Sequence, residues 1–208
     1  ALDALGERGA LVMPGSPEIV VGRDTDLPYV PDPNLFYLTG CVEPGAVAVL
    51  AADSPGGPFI LFARQRDEER ERWTGPREEP ERLGERLGAN AAFPLRELGE
   101  RLPRLLAGAD AVHFPLGWGR PDIERIVLDL LGNARRSRQR RGRGPQALVD
   151  PGAVLDPMRL VKDESEIARM REAARITVEA FRETAGEARP GGSERLVQSA
   201  LEHGFLRR

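Results

Sequence analysis

Two histidines, His113 and His203, stand 90 positions apart, and neither forms the pair four residues apart on a helix that would hold a metal. His113 lies between Val112 and Phe114 in an apolar run, which suits a structural or sheet-edge histidine. His203 precedes Gly204 near the end of a helical stretch, where an imidazolium would favour the helix C-terminal dipole. Cys41 is the single cysteine, so an internal disulfide is excluded and a reducing compartment is expected. No Gly-x-Ser-x-Gly elbow, glycine-rich phosphate loop or cysteine–histidine nucleophile context is present. Carboxylates are plentiful, but spacing singles out none. On these residues the chain is expected to carry no catalytic residue and to bind no metal or cofactor of its own.

Two other features could carry binding. Arg135 to Arg143 contains six arginines in nine residues, enough to neutralise several phosphates. It has no interleaved aromatics for base stacking, and Gly142 and Gly144-Pro145 interrupt it, so a solvated loop before a final strand is expected rather than a nucleic-acid site. Trp73 stands among charges in Glu68-Glu-Arg-Glu-Arg-Trp-Thr-Gly-Pro-Arg77, with no apolar periodicity to carry it into a core. From the residues alone, a contact role and an indole capping the core edge or packed under arginine stems are both open.

The elements that must position these residues follow from the apolar patterning. With 208 residues, 40% of them hydrophobic, and a net charge of -3, the chain can bury one good-sized core plus an appendage. No apolar run approaches the ~18–20 residues of a membrane span, and the first residues are too polar for a signal peptide, so a cytoplasmic protein without membrane contact is expected. Leu11-Val-Met13 and Ile19-Val-Val21, split by Pro14-Gly-Ser-Pro17, read as two strands. Ala46–Leu50 and Phe59–Phe62 flank Asp53-Ser-Pro-Gly-Gly-Pro58 and read as an antiparallel pair. Pro31-Asp-Pro33 reads as a rigid extended entry into a strand-like segment, Leu35–Leu38. Stripes at Leu95, Leu98, Leu102, Leu105 and at Ile123, Ile126, Val127, Leu130 predict two helices, with strands at Ala111–Phe114 and Ala147–Val149. A three-layer α/β or α+β domain, with a mixed sheet flanked by helices, is expected over residues 1–157.

Residues 158–163 read as a connection, after which a capped helix begins near Glu164. Asp163 can accept from a first-turn amide while Glu166 reaches back to the cap. Ile167, Met170, Ala174, Val178 and Phe181 then form one stripe. Pro190-Gly-Gly192 breaks the helix, and Ser193 caps a second one carrying Leu196, Val197, Ala200 and Leu201. Residues 164–208 are thus a helical hairpin whose stripes call for partners that 34 residues after Ala174 cannot supply.

Met158-Arg-Leu-Val-Lys162 followed by that acidic helix resembles the junction between the N-terminal and pita-bread catalytic domains of Xaa-Pro aminopeptidases, in the creatinase and prolidase superfamily. Asp26-Leu-Pro-Tyr-Val-Pro-Asp-Pro-Asn-Leu-Phe-Tyr-Leu-Thr-Gly40 with Glu43-Pro44, and Arg66-Asp67 through Trp73-Thr-Gly-Pro-Arg77, match in the same order. The resemblance implies an N-terminal domain plus the first helices of the catalytic domain, without the metal centre. It implies that the whole protein removes an N-terminal residue preceding proline, using two divalent ions, commonly manganese. It further implies that Trp73 meets the substrate and that Asp26, or Asp24 two residues earlier, approaches a neighbouring subunit's site in a homo-oligomer. A non-catalytic binding or oligomerisation module of the same domain type is the rival expectation, since fold alone does not carry function.

Overall fold

In the computed structural model, residues 1–23, 25–141 and 144–208 are described, with side chains of 137–141 left out of the description. The chain divides into two compact units, Ala1–Pro157 and Met158–Arg208. The first contains, in chain order, α1 (Leu2–Leu5), β1 (Gly9–Pro14), α2 (Pro33–Thr39), β2 (Val47–Ala51), β3 (Phe59–Ala63), α3 (Glu68–Thr74), α4 (Pro80–Leu87) and β4 (Ala91–Pro94). A 3₁₀ turn (Leu95–Glu97), α5 (Leu98–Leu105), β5 (Ala111–His113), α6 (Pro121–Arg141), β6 (Ala147–Val149) and α7 (Gly152–Leu160) follow, α7 continuing past Pro157 through the first three residues of the expected 158–163 connection. The chain's last two helices are α8 (Glu164–Thr184) and α9 (Glu194–Leu206).

The strands form one sheet in the order β4-β3-β2-β1-β5-β6. β1 and β3 each pair antiparallel with β2, whereas β1–β5, β3–β4 and β5–β6 are parallel. Five strands therefore run one way and only β2 the other. The loops after β1, β3 and β5, and the one before β2, consequently share one end of the sheet. This is the mixed α/β architecture expected from the sequence.

β1, β2 and β3 are buried on both faces, which is why they read as continuous apolar runs rather than alternating ones. On one face Ala10, Val12, Val49, Ile60, Phe62 and Val112 pack with Leu98 and Leu102 of α5 and Ile123 and Val127 of α6. Fully burying a side chain such as Phe62 contributes about 1.5–3 kcal/mol. On the other face, α1 and α2 adjoin β1 and β2, and α4 adjoins β3 and β4. β4, which the apolar pattern did not reveal, is only four residues long.

Three local expectations are corrected. Residues 33–39 are a helix, not a strand. Asp32 caps it by accepting from the amides of Asn34 (2.9 Å) and Leu35 (2.8 Å), Pro33 opens it, and Gly40 closes it at φ 69°. Ile19-Val-Val21 is not a strand either: all three side chains are exposed, and the segment makes only an isolated bridge between Val20 and Asp26. The arginine run is helical as far as Arg141 rather than a loop. Arginine is a good helix former, and cations suit the C-terminal end of a helix whose first turn carries Asp122 and Glu124. Gly142 and Arg143, and Asp24, lie outside the described residues.

In the second unit, the capping box at Asp163 is present in both directions, with Glu166 N–H donating to Asp163 and Asp163 N–H to Glu166, each at 2.8 Å. Ser193 caps α9. The two helices approach closely at Ala180 and Gly204, where a Cβ on the glycine would lie 3.0 Å from that of Ala180. Arg208 bonds Glu179 and Glu183, and Arg207 bonds Glu183.

Candidate functional site

Trp73 sits near the end of α3, beyond the carboxyl end of β3, and its side chain is 88% exposed. That exposure removes the alternative of an indole capping the core or shielded by arginine stems. The segment Arg66–Arg77 explains how it is held out. Asp67 caps α3 by accepting from the amides of Glu69 and Arg70. Arg66 grips Glu71 with two hydrogen bonds of 2.9 and 2.8 Å. Gly75, at φ 82°, ends the helix in a conformation that a side chain rarely adopts. Arg77 then turns back onto the domain.

Its guanidinium reaches two carboxylates from different loops, Glu18 at 2.8 Å and Glu43 at 3.0 Å. Glu18 also receives Arg64 in a two-pronged pair at 2.9 and 3.0 Å, and Arg70 at 3.3 Å. Arg64 in turn lies 3.5 Å from Glu43. The Arg64 hydrogen bonds, opposed by partial burial and aided by Arg77, hold the Glu18 carboxyl down at about 2. Glu18 is only 16% exposed, so this network is less screened than a surface ion pair. Sequence reasoning missed Glu18 and Arg64, and it quoted Glu43 only as part of a family motif. They come from three separate loops, and no spacing joins them.

Beside the network lies a cleft of about 410 Å³ lined by Glu18, Val20, Pro44, Arg64, Arg70 and Arg120. Arg120 is buried, donating to the carbonyls of Gly15 (2.8 Å) and Gly45 (3.2 Å) and pairing with Asp122, and so ties the loops after β1 and β5 to the one before β2. Apolar side chains surround this end of the sheet: Ile19, Val20, Val21, Val42, Leu116 and Trp118 are all exposed. Asp26 is at the same end, exposed, in the bridge with Val20. The topology thus puts Trp73 and Asp26 at one end of the sheet, the end at which open α/β sheets bind ligands.

His113 and Cys41 are both engaged within the fold. His113, on an interior strand and not at an edge, donates from Nδ1 to the Ala10 carbonyl at 3.2 Å. Cys41 is buried, and burial pushes its thiol up. Among the described residues, no group of three or more His, Cys, Asp or Glu side chains could hold a metal ion. What the site offers is a contact surface, apolar at Trp73 and charged behind it. Among the described residues, no helix is long and apolar enough to cross a membrane.

Residues 1–113 match the family model described as "Aminopeptidase P, N-terminal domain". The chain is 32% identical to the Xaa-Pro aminopeptidase of Escherichia coli K12, over 92% of this chain and 44% of the relative. It is 29% identical to human Xaa-Pro aminopeptidase 3, over 96% and 40%. Among solved structures, Pseudomonas aeruginosa aminopeptidase PepP matches with a TM-score of 0.86 at 32% identity, covering 99% of this chain and 47% of that one. A zinc-substituted E. coli aminopeptidase P in complex with product also gives 0.86, at 31% identity, over 99% and 48%. The chain therefore spans less than half the length of these relatives. By its sequence and its fold, the chain belongs to the aminopeptidase P N-terminal domain family.

Proposed function

We propose that this chain is the N-terminal portion of a metal-dependent Xaa-Pro aminopeptidase, which removes from peptides the N-terminal residue that precedes proline. The observation that carries this reading is the similarity of almost the whole chain to Xaa-Pro aminopeptidases more than twice its length. In this reading, residues 1–157 shape substrate access and subunit contacts, 158–163 connect, and 164–208 open the catalytic domain. A pair of divalent ions, manganese by family resemblance, is held by the remainder of the protein. Trp73 supplies an apolar face against which a proline ring can pack, and Asp26 reaches a neighbouring subunit's cleft in a homo-oligomer. The protein works in the cytoplasm, without nucleic acid or membrane as partner.

The test compares the full protein containing these residues with the 208-residue chain, both supplied with manganese. The full protein is expected to release the first residue of Xaa-Pro peptides and to spare Xaa-Ala peptides, while the chain alone releases nothing. Activity of the isolated chain would overturn the assignment of the metal centre. Inactivity of the full, folded, metal-loaded protein would favour a non-catalytic binding module.

A further inference from the structure

The helix that carries Trp73 has no hydrophobic anchor. None of the seven residues of α3 is buried, so packing against the core cannot fix its position. A helix this short is marginal by itself. What ties it to the domain is charge. Arg70, one turn before Trp73, and Arg77, four residues after it, converge on the same carboxylate, Glu18 of the loop after β1, at 3.3 and 2.8 Å. Arg64, at the start of the loop leading into α3, converges on it as well, at 2.9 Å. Each oxygen of Glu18 serves two guanidinium nitrogens: Oε1 those of Arg64 and Arg77, and Oε2 those of Arg64 and Arg70.

We infer that Glu18 is the positioning residue for Trp73, a single carboxylate that holds the tryptophan-bearing helix from both sides and so fixes where the indole is presented. The inference rests on the proposed reading of Trp73 as a substrate contact. Glu43 holds Arg77 and touches Arg64 but does not reach Arg70, so it secures only the far side of the helix. Glu18→Gln keeps the shape and replaces one oxygen with a donor facing guanidinium donors. That should release α3 without opening the core. Arg70→Gln, at a half-exposed residue, releases the near side alone with little risk to the fold.

The test has two arms. In the 208-residue chain, hydrogen exchange of the α3 amides is expected to speed up about tenfold in Glu18→Gln and less in Arg70→Gln, with β1, β2 and β3 unchanged. In the full protein, Glu18→Gln is expected to lower kcat/KM on Xaa-Pro peptides when Trp73 is present and to have no further effect in a Trp73→Ala background. Unchanged exchange of α3 in both variants would overturn the clamp. An undiminished kinetic loss from Glu18→Gln in the Trp73→Ala background would overturn its action through Trp73. If Trp73→Ala alone is kinetically silent, the substrate contact fails and Glu18's part in function falls with it. Faster α3 exchange in Glu18→Gln would then show that the clamp itself still stands, which separates the two failures.

Discussion

Glu18 contributes to stability through its protonation as well as its geometry. Its carboxyl is held at about 2 in the folded chain, chiefly by the Arg64 hydrogen bonds, against an ordinary value of 4.5. Between those values the unfolded chain binds a proton that the folded chain does not. The contribution is therefore fully present above about pH 4.5 and is lost as the pH falls toward 2. Acidification across this window should lower the melting temperature of the chain, and Glu18→Gln should make that fall shallower while other paired carboxylates, such as Asp122 and Glu78, keep part of it. Equal pH slopes in the two proteins would show that Glu18 is not a major participant in acid unfolding. Nothing in the sequence distinguishes this glutamate from the rest of the chain's 33 acidic residues, because its partners lie 46, 52 and 59 positions away. Trp73 was legible for the opposite reason: a large apolar residue with no periodicity to bury it stands out in a charged segment.

At the scale of elements, strands and helices that pack on the core were readable, and those governed by caps and crevices were less so. The apolar runs of β1, β2 and β3 and the stripes of α5 and α6 are set by burial, which leaves a continuous run in the strands and a period in the helices. α2 reads as a strand from Leu35–Leu38 alone, a short apolar run without an arbiter of its own. The arbiters were its neighbours Asp32, Pro33 and Gly40. Ile19-Val-Val21 has the β-branched composition of a strand but not the burial that a strand here needs. α4 illustrates a close approach that no pattern reveals. Its Gly84 faces β4, and a Cβ there would lie 2.5 Å from that of Ala92. Helix propensity alone favours Gly84→Ala by about 1 kcal/mol. The overlap with Ala92 should outweigh that gain, giving a net loss of about 1–2 kcal/mol in denaturant unfolding of the chain. A stabilised Gly84→Ala variant would mean that α4 can move off β4 freely.

For the whole molecule, direction of the strands matters more than their number. Five of six strands point toward one edge, so loops that are distant in sequence gather there with Glu18, Asp26, Trp73 and the exposed apolar side chains around them. The α8–α9 pair, described by itself, leaves Met170, Val178, Phe181 and Leu196 exposed. The central claim concerns the exposed indole. Because Trp73 is 88% exposed, its truncation should cost the fold almost nothing, and a fall in catalysis at an unchanged melting temperature is the result expected of a substrate contact. The most direct measurement is the steady-state kinetics of the full protein and its Trp73→Ala variant on dipeptides and longer Xaa-Pro peptides, with melting temperature measured alongside. A lost contact of about 1–3 kcal/mol predicts a fall in kcat/KM of roughly 5- to 150-fold at an unchanged melting temperature. Unchanged kinetics at every peptide length, or a loss that tracks unfolding, would contradict it.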